Sequence, residues 1–484
     1  MNFDVRTEPW IPVRALSGEK KIFGLEAVLE QAQDLDGMDG LDTMAEYSLY
    51  RFLTVFLMTV YRPKSWRDKY RLLEHGSFEA NKWKTYIQHC IDEGVSFDIF
   101  DVKRPFLQAV PDTGYDLEKN IKSAAELDNT KASGNNPIHF DHTLEESVVF
   151  TPAAAVRGLL SAQIFCTAGL KGPSNVNGAP PLFFLPKGKN LFETLVYAMA
   201  AVDEQMLGEP LWESKRVIVP KEEVPSTKLL YGMLFPSRRI RLIEENGMVR
   251  QVYYQPGLHF TGFAGWTDPH VAYRVKKDEE LVSIKPSTER EPWRHIGPIE
   301  ERFEKCAPQV LRDFSKIQEH LDSYQMPIMA FGVATSNASY LDMQRGMIEL
   351  DSRVADKPMK AGFLAQAVEF AERIGWILQQ SMKNMISPKD SKRGDGEVKQ
   401  YIHHYFSECE KQFYVFEQML AEANRDYKVL FAGWQRNVKR VALEITTLIQ
   451  QNCCYRATDL VRAQQAENWL NLEIYKLMKG ESKE

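Results

Sequence analysis

The last third of the chain carries four long amphipathic segments in succession, from Met359 to Gly480, with short breaks between them. Apolar side chains of the third segment recur at alternating steps of three and four residues: Phe431, Trp434, Val438, Val441, Ile445 and Leu448. This spacing places an apolar stripe along one helix face. Four such helices with short connections pack best as an antiparallel bundle. Since no carboxylates or histidines stand in metal-ligand order, residues 356–484 are predicted to be a four-helix bundle used for docking.

The preceding residues show a different and less regular pattern. A chain of 484 residues is too long for one ordinary core, so two or more domains are expected. Helical periodicity from Leu41 to Tyr61 gives way to short strand patterns, and residues 208–295 look β-rich and irregular. An alternating stretch from Phe3 to Val13 with two prolines predicts a strand at a sheet edge. The expected fold class is α+β, with a large irregular mixed α/β domain over residues 1–355 followed by the bundle.

The charge and the cysteines exclude several classes of protein. A net charge of −6 argues against a general nucleic-acid binder, so any such contact is local or depends on a basic partner. The basic pair Arg238–Arg239 is interpreted as a solvated face. Six cysteines without a CxxC pair or zinc spacing, and no signal peptide, indicate a reducing, cytoplasmic compartment. The most apolar run, Phe52 to Tyr61, is about half the roughly 20 residues of a membrane span, so no membrane association is expected.

A polar loop from Asp128 to Thr143 contains the cluster His139, Asp141 and His142. Such a group can hold a divalent metal or supply an acid/base pair. The loop is polar, with three asparagines and Gly134, and offers no rigid element to fix ligand geometry, so a loop that orders on a partner is favoured. A metal-dependent nuclease or phosphohydrolase built on these three side chains remains an alternative.

A second loop, from Gly169 to Pro181, has three glycines and ends in prolines. A phosphate-binding loop requires a strand before it and a helix start directly after it, and neither is predicted here. The glycines, together with Ser174, Asn175 and Asn177, instead permit close backbone approach to a groove or a sugar–phosphate edge.

A continuous apolar run from Ile328 to Val333 predicts a strand that is buried on both faces, with Ala334 to Ala338 as its exit loop. Thr335, Ser336 and Asn337 are small and polar. On a rigid strand they would form a short protruding tip, and a solvated turn is the plainer interpretation.

Short motifs along the whole chain occur in a characteristic order. They are Glu8 to Val13, Arg104 to Gln108, Asn136 to His142, Pro180 to Leu182, Trp266 with Asp268 to His270, Phe331-Gly332 and Asn337 to Ser339. In this order the chain resembles the CasA family, the large subunit of the type I-E CRISPR surveillance complex Cascade. No single motif is specific for the family, because each is short and has no distinctive chemistry. Their combination in this order is specific for it.

The resemblance implies a non-catalytic subunit of an RNA-guided complex in antiviral defence. Such subunits read the protospacer-adjacent motif of target double-stranded DNA, largely from the minor groove. They promote unwinding and R-loop formation and help to recruit the helicase-nuclease. The expected partners are therefore the guide-RNA-bearing Cascade backbone and small subunits, target DNA and the helicase-nuclease. No cofactor is expected, and no zinc site, because the two CxxC pairs of some members are missing.

The same resemblance implies two sets of contact residues. The expected DNA-binding residues are Lys171, Gly172, Ser174, Asn175, His259, Ser336 and Asn337. The loop expected to contact guide RNA or a neighbouring subunit carries Asn135, Asn136, His139, Phe140 and His142. Some members have an asparagine–glutamine wedge where this chain has Ser336-Asn337, so the wedge is a hypothesis here. A pure assembly adaptor without DNA contact remains a second alternative.

Overall fold

The computed structural model describes residues 2–110, 118–130, 148–167, 173–276, 280–287, 290–296, 306–336, 339–355, 357–386, 395–424, 426–454 and 456–479. The chain divides into two compact units. The first comprises Met1–Thr288, Glu301–Leu321 and Pro327–Met347, and the second comprises Glu289–Glu300, Asp322–Met326 and Ile348–Glu484. The main segment of the second unit begins at Ile348, and two short earlier segments also belong to this unit.

The first unit mixes helices with small sheets. Its helices within the described residues are α1 (Leu25–Gln31), α2 (Thr43–Tyr61), α3 (Trp66–His75), α4 (Ala80–Asp92), α5 (Pro152–Ile164), α6 (Leu191–Ala198), α7 (Glu204–Leu207), α8 (Leu229–Met233) and α9 (Gln309–Gln318). The strands found in the described part of the chain are β1 (Ile11–Ala15), β2 (Lys20–Phe23), β3 (Leu35–Met38), β4 (Ile121–Ser123), β5 (Phe183–Pro186), β6 (Glu223–Val224), β7 (Arg238–Glu245), β8 (Met248–Pro256), β9 (His259–Phe260), β10 (Tyr273–Val275), β11 (Leu281–Ser283), β12 (Gln325–Ser336) and β13 (Ser339–Asp351).

The strands form several small sheets rather than one large one. Three-stranded sheets have the orders β2-β1-β3, β4-β8-β7 and β13-β12-β5, and two-stranded pairs are β10-β11 and β6-β9. The expectation of a strand at a sheet edge near the N-terminus was wrong, because β1 lies between β2 and β3. Pro12 is tolerated there because the pairing of β1 with β3 begins only at Val13. The backbone N–H that proline lacks is therefore not needed for a hydrogen bond between β1 and β3.

Helix α2 is buried along nearly its whole length and supports the first unit. It begins at the cap residue Asp42, whose carboxylate accepts the N–H groups of Met44 at 2.8 Å and Ala45 at 2.9 Å. The predicted helix is thus confirmed to within two residues. Full burial of one Leu or Phe side chain contributes roughly 1.5–3 kcal/mol, so the many apolar residues of α2 make it a rigid base for the surrounding loops.

The predicted strand at Ile328–Val333 is confirmed and extends in both directions as β12. Ile328, Phe331 and Val333 are almost fully buried, since β12 lies between β13 and β5. The predicted exit loop was too long, because the strand continues to Ser336 and β13 resumes at Ser339. The side chain of Ser336 and all of residues 337–338 lie outside the described set.

The second unit contains the four predicted long helices. Within the described residues its helices are α10 (Ser352–Ala355), α11 (Pro358–Ile386), α12 (Asp395–Glu422), α13 (Tyr427–Cys453) and α14 (Ala457–Lys479). Near the start of α11, Lys360 Nζ donates to the carbonyl oxygen of Ala421, near the end of α12, at 2.7 Å. Further along, Tyr405 Oη donates to Ala371 O at 2.9 Å. These two bonds show that α11 and α12 are antiparallel.

Helix α13 completes the core of this unit with the predicted stripe. Trp434, Val438, Val441 and Ile445 are at most 3% exposed. Trp434 Nε1 donates to Ala367 O of α11 at 3.0 Å. Helix α14 also packs on α11. The expected helical bundle is therefore confirmed in architecture. Across the described residues, no helix is both long and apolar enough to span a bilayer.

Candidate functional site

The glycine-rich loop and His259 meet in the first unit. The backbone N–H of Ser174 donates to His259 Nδ1 at 3.1 Å, and the N–H of Phe260 donates to Ser174 O at 3.0 Å. Since Nδ1 accepts, a neutral His259 ring carries its proton on Nε2. Both residues are half-buried. Two predicted site residues that are far apart in sequence are thus brought together.

Asn175 lies inside the protein and shapes the loop from there. It is 6% exposed, and its Nδ2 donates to Gln163 O at 2.7 Å. Its own carbonyl oxygen accepts the N–H of Gly178 at 3.0 Å. Gly178 has φ +64°, a left-handed conformation that glycine adopts without strain. The side chain of Asn175 therefore acts on a ligand only through the loop that it holds.

A buried ion pair holds the next part of the loop. Asn177 Nδ2 donates to Asp268 Oδ2 at 2.9 Å, and Arg51 Nη2 of α2 donates to the same oxygen at 2.6 Å. Burial alone raises the pKa of Asp268, but the adjacent Arg51 guanidinium outweighs it and holds this pKa below its ordinary value. Trp266 Nε1 also donates to Asn177 Oδ1, at 3.2 Å. The loop is thereby fixed to the rigid helix α2.

His270 lies beside this ion pair and is neutral at physiological pH. Burial lowers its pKa to about 4. Its Nε2 is 2.8 Å from Ala198 O and its Nδ1 is 2.9 Å from Tyr47 Oη. A carbonyl oxygen only accepts, so Nε2 carries the proton and the Tyr47 hydroxyl donates to Nδ1.

Arg238 holds both ends of the loop segment that precedes Ser174. Its Nη2 donates to Thr167 O at 2.7 Å and its Nη1 donates to Pro173 O at 2.9 Å. The interpretation of Arg238–Arg239 as a solvated face was wrong, because both residues are 1% exposed. The physical reason is that internal acceptors take their Nη groups: those of Arg238 bind backbone carbonyl oxygens, and Arg239 Nη1 donates to Gln255 Oε1 at 2.9 Å.

The β12–β13 hairpin is attached close to the same loop. Tyr340 Oη donates to Phe165 O at 2.8 Å, two residues before Thr167. Further along β13, Arg345 Nε and Nη2 bind the Glu46 carboxylate of α2 at 2.6 and 2.9 Å. Helix α2 and the residues just after α5 therefore support both the glycine-rich loop and the hairpin.

Several predicted site residues lie outside the described part of the chain. They are Asn135, Asn136, His139, Phe140, Asp141, His142, Lys171, Gly172 and Asn337. Among the residues that are described, no group of three or more His, Cys, Asp and Glu side chains is placed to hold a metal ion.

Sequence reasoning missed the residues that support the loop, namely Arg51, Arg238 and Tyr340. A signal existed for Arg51, because an arginine between the apolar pairs Leu49-Tyr50 and Phe52-Leu53 of a predicted helix requires a buried partner. No local pattern marks Arg238 or Tyr340, whose partners are backbone carbonyl oxygens distant in sequence.

Solved structures of similar fold cover nearly the whole chain. Thermus thermophilus CasA (Cse1) has a TM-score of 0.80 at 23% identity, over 98% of this chain and 99% of that chain. Cse1 from Acidimicrobium ferrooxidans has a TM-score of 0.76 at 19% identity, over 100% and 99%. A chain of a structure described as a CRISPR RNA-guided surveillance complex has 0.76 at 18%, over 97% and 99%. The fold is thus that of a class of CRISPR-associated proteins.

Sequence comparison defines the family within this class. The family model for CRISPR-associated protein Cse1 matches residues 4–445. The CRISPR-associated protein CasA/Cse1 of Thermus thermophilus is 29% identical over 417 residues, which cover 81% of this chain and 80% of that protein. The chain belongs to the CasA/Cse1 family, and the expected family is confirmed.

Proposed function

We propose that this chain is the non-catalytic large subunit of an RNA-guided Cascade complex, and that it recognises the protospacer-adjacent motif of target duplex DNA. Membership of the Cse1 family supports the assembly, as does the fold shared with a chain of an RNA-guided surveillance complex. In such complexes guide pairing supplies most of the sequence specificity, and the protein reads only a short motif.

The observation that carries the proposal is the contact between Ser174 and His259. The minor groove presents the acceptors adenine N3 and thymine O2. A His259 ring that accepts on Nδ1 offers an Nε2–H donor of matching chemistry. The loop around Ser174 presents backbone at the same place, and glycine allows close approach to the duplex. Lys171 and Gly172 are proposed to belong to the same surface, with Lys171 as a phosphate contact.

The β12–β13 hairpin supplies the proposed wedge for strand opening. Strand β13 is held on α2 by Arg345 and on the segment after α5 by Tyr340, so the described part of the hairpin is a rigid base for the proposed wedge residues Ser336 and Asn337. Opening one base step costs a few kcal/mol, and contacts to the separated bases offset part of it. R-loop formation would begin at this point.

Neighbouring subunits are proposed to supply the positive charge that tight DNA binding requires. With a net charge of −6, the isolated chain is expected to bind duplex DNA weakly, and a basic guide-RNA-bearing backbone restores tight binding. The loop with Asn135, Asn136, His139, Phe140 and His142 is proposed to contact guide RNA or an adjacent subunit. Recruitment of the helicase-nuclease by the assembled complex is part of the same proposal.

The test uses the assembled complex with a guide and matching targets. Ser336→Ala combined with Asn337→Ala is expected to slow R-loop formation more than it weakens binding to the motif duplex. A target with a bubble next to the motif should restore the rate. Glu74→Ala, at an exposed position of α3, is the matched control. No rescue by the bubble would refute the wedge.

The same preparations test the two alternatives. An adaptor without DNA contact predicts equal affinity for targets with and without the motif. A metal-dependent nuclease predicts that the purified chain alone cuts DNA when a divalent metal is added, and that His139→Ala abolishes the cutting.

A further inference from the structure

The end of helix α5 is an attachment point for two segments that are distant in sequence. The last carbonyl groups of a helix have no partner within it. Just past the end of α5, Phe165 O accepts from Tyr340 Oη at 2.8 Å, and Thr167 O accepts from Arg238 Nη2 at 2.7 Å. One bond comes from the β12–β13 hairpin and the other leads to the glycine-rich loop.

Arg238 carries the connection from this point to the loop. Its Nη1 donates to Pro173 O at 2.9 Å, next to Ser174, which contacts His259. A guanidinium is a planar fork with fixed donor directions, so a shift of Pro173 changes the geometry at Thr167 as well. At 1% exposure of Arg238, water does not replace a lost bond.

Tyr340 carries the connection from the same point to the hairpin. Burial raises the pKa of the Tyr340 hydroxyl, so the group is a protonated donor throughout the physiological range. Tyr340 is the second residue of β13. Its bond therefore fixes the hairpin near the end where β12 and β13 meet.

We infer that Tyr340 is a positioning residue that couples the β12–β13 hairpin to the loop at Ser174 through the end of α5. The inference rests on the proposed function and deepens it. Displacement of the loop by a bound motif duplex passes from Pro173 through Arg238 to the carbonyls after α5, and from there through Tyr340 to the hairpin. Motif contact then favours the hairpin position that opens the first base pair. Tyr340 itself need not touch DNA.

The first test is Tyr340→Phe in the assembled complex, which removes one hydroxyl and keeps the ring. Loss of a net hydrogen bond corresponds to a factor of roughly five. R-loop formation on an intact target should slow by about that factor, while the rate on a target with a bubble beside the motif should change by less than about twofold. Tyr253→Phe in β8 is the matched control and should leave both rates unchanged. Slowing on both targets would mean a merely structural role, and an unchanged rate on the intact target would also overturn the inference.

The second test needs no variant, so it stands even if Tyr340→Phe does not assemble. Hydrogen exchange of the wild-type complex is measured with a motif-bearing duplex that has no complementarity to the guide. Protection is expected to change at residues 173–178 and also at residues 339–342. A change at the loop alone would overturn the coupling and leave the proposed function intact. No change at the loop would contradict the proposed function itself.

Discussion

Arg51 and Asp268 form a bidentate ion pair in the interior of the first unit, with Nη2–Oδ2 and Nη1–Oδ1 distances of 2.6 and 3.2 Å. Both side chains are at most 2% exposed. Neutralising one partner leaves the other charge buried and unpaired, which costs about 3–5 kcal/mol. Asp268→Asn is therefore expected to lower the free energy of unfolding by that amount in urea titrations. The control Asp342→Asn, at an exposed position of β13, should change it little. Equal stability of the two variants would contradict the role of this pair.

His259 is expected to govern motif affinity through its bond to Ser174. His259→Ala leaves the half-buried Ser174 N–H without this acceptor and removes the Nε2–H donor. The affinity of the assembled complex for a motif duplex should fall roughly fivefold to tenfold. His259→Gln, whose side-chain oxygen also accepts, should recover part of the loss. His75→Ala, at an exposed position of α3, is the control. If His259→Ala lowered the affinity for a duplex without the motif by the same factor, His259 would have no role in motif recognition.

Stability of the first unit should depend on pH through His270. Its pKa lies at about 4 in the folded protein, against an ordinary value of 6.5. Between these values the unfolded chain takes up a proton that the folded protein does not. Stability is therefore full above about pH 6.5 and falls as the pH drops toward 4. His270→Gln should reduce the loss between pH 7 and pH 5 by about 2 kcal/mol, measured by urea titration at both values. The control His75→Gln should leave the loss of stability between pH 7 and pH 5 unchanged. A loss of wild-type size in His270→Gln would refute the assignment of this pH dependence to His270.

Glu417 gives the second unit the opposite pH dependence. Burial raises its pKa to about 7 from the ordinary 4.5, and its Oε1 accepts the N–H of Asp351 at 2.6 Å. Between these values the folded protein holds a proton that the unfolded chain has lost, so stability falls as the pH rises through this window. Glu417→Gln keeps an acceptor oxygen and removes the titration. It should stabilise the chain by about 1–3 kcal/mol at pH 8 and by much less at pH 5. Glu397→Gln, at an exposed position of α12, is the control. An equal gain in stability from Glu417→Gln at both pH values would contradict the assignment of this pH dependence to Glu417.

The regular parts of this fold follow from the sequence because their signals are local. The stripe around Trp434 and Val438 repeats with the period of a helix, and the run from Ile328 to Val333 has the composition of a buried strand. Each of these elements is specified by neighbouring residues. Even there, the end of β12 was misplaced, since pairing with β13 extends it beyond the apolar run.

The supports of the candidate site could not be predicted in the same way. Arg238 looks like a surface cation until the carbonyl oxygens of Thr167 and Pro173 are placed beside it. Asn175 looks like an exposed loop residue until Gln163 of α5 accepts its amide. Both assignments depend on contacts between distant segments, which neither periodicity nor composition contains.

The most direct test of the central claim is a photo-crosslink from position 174 to DNA in the assembled complex. A photoreactive amino acid at Ser174 is irradiated with a duplex carrying the motif and with one in which the motif is scrambled. We expect crosslinks to the motif base pairs of the first duplex, a strong reduction with the second, and none from the same label at Glu74. Crosslinks from position 174 to protein alone, or equally to both duplexes, would contradict the proposal that this loop recognises the motif.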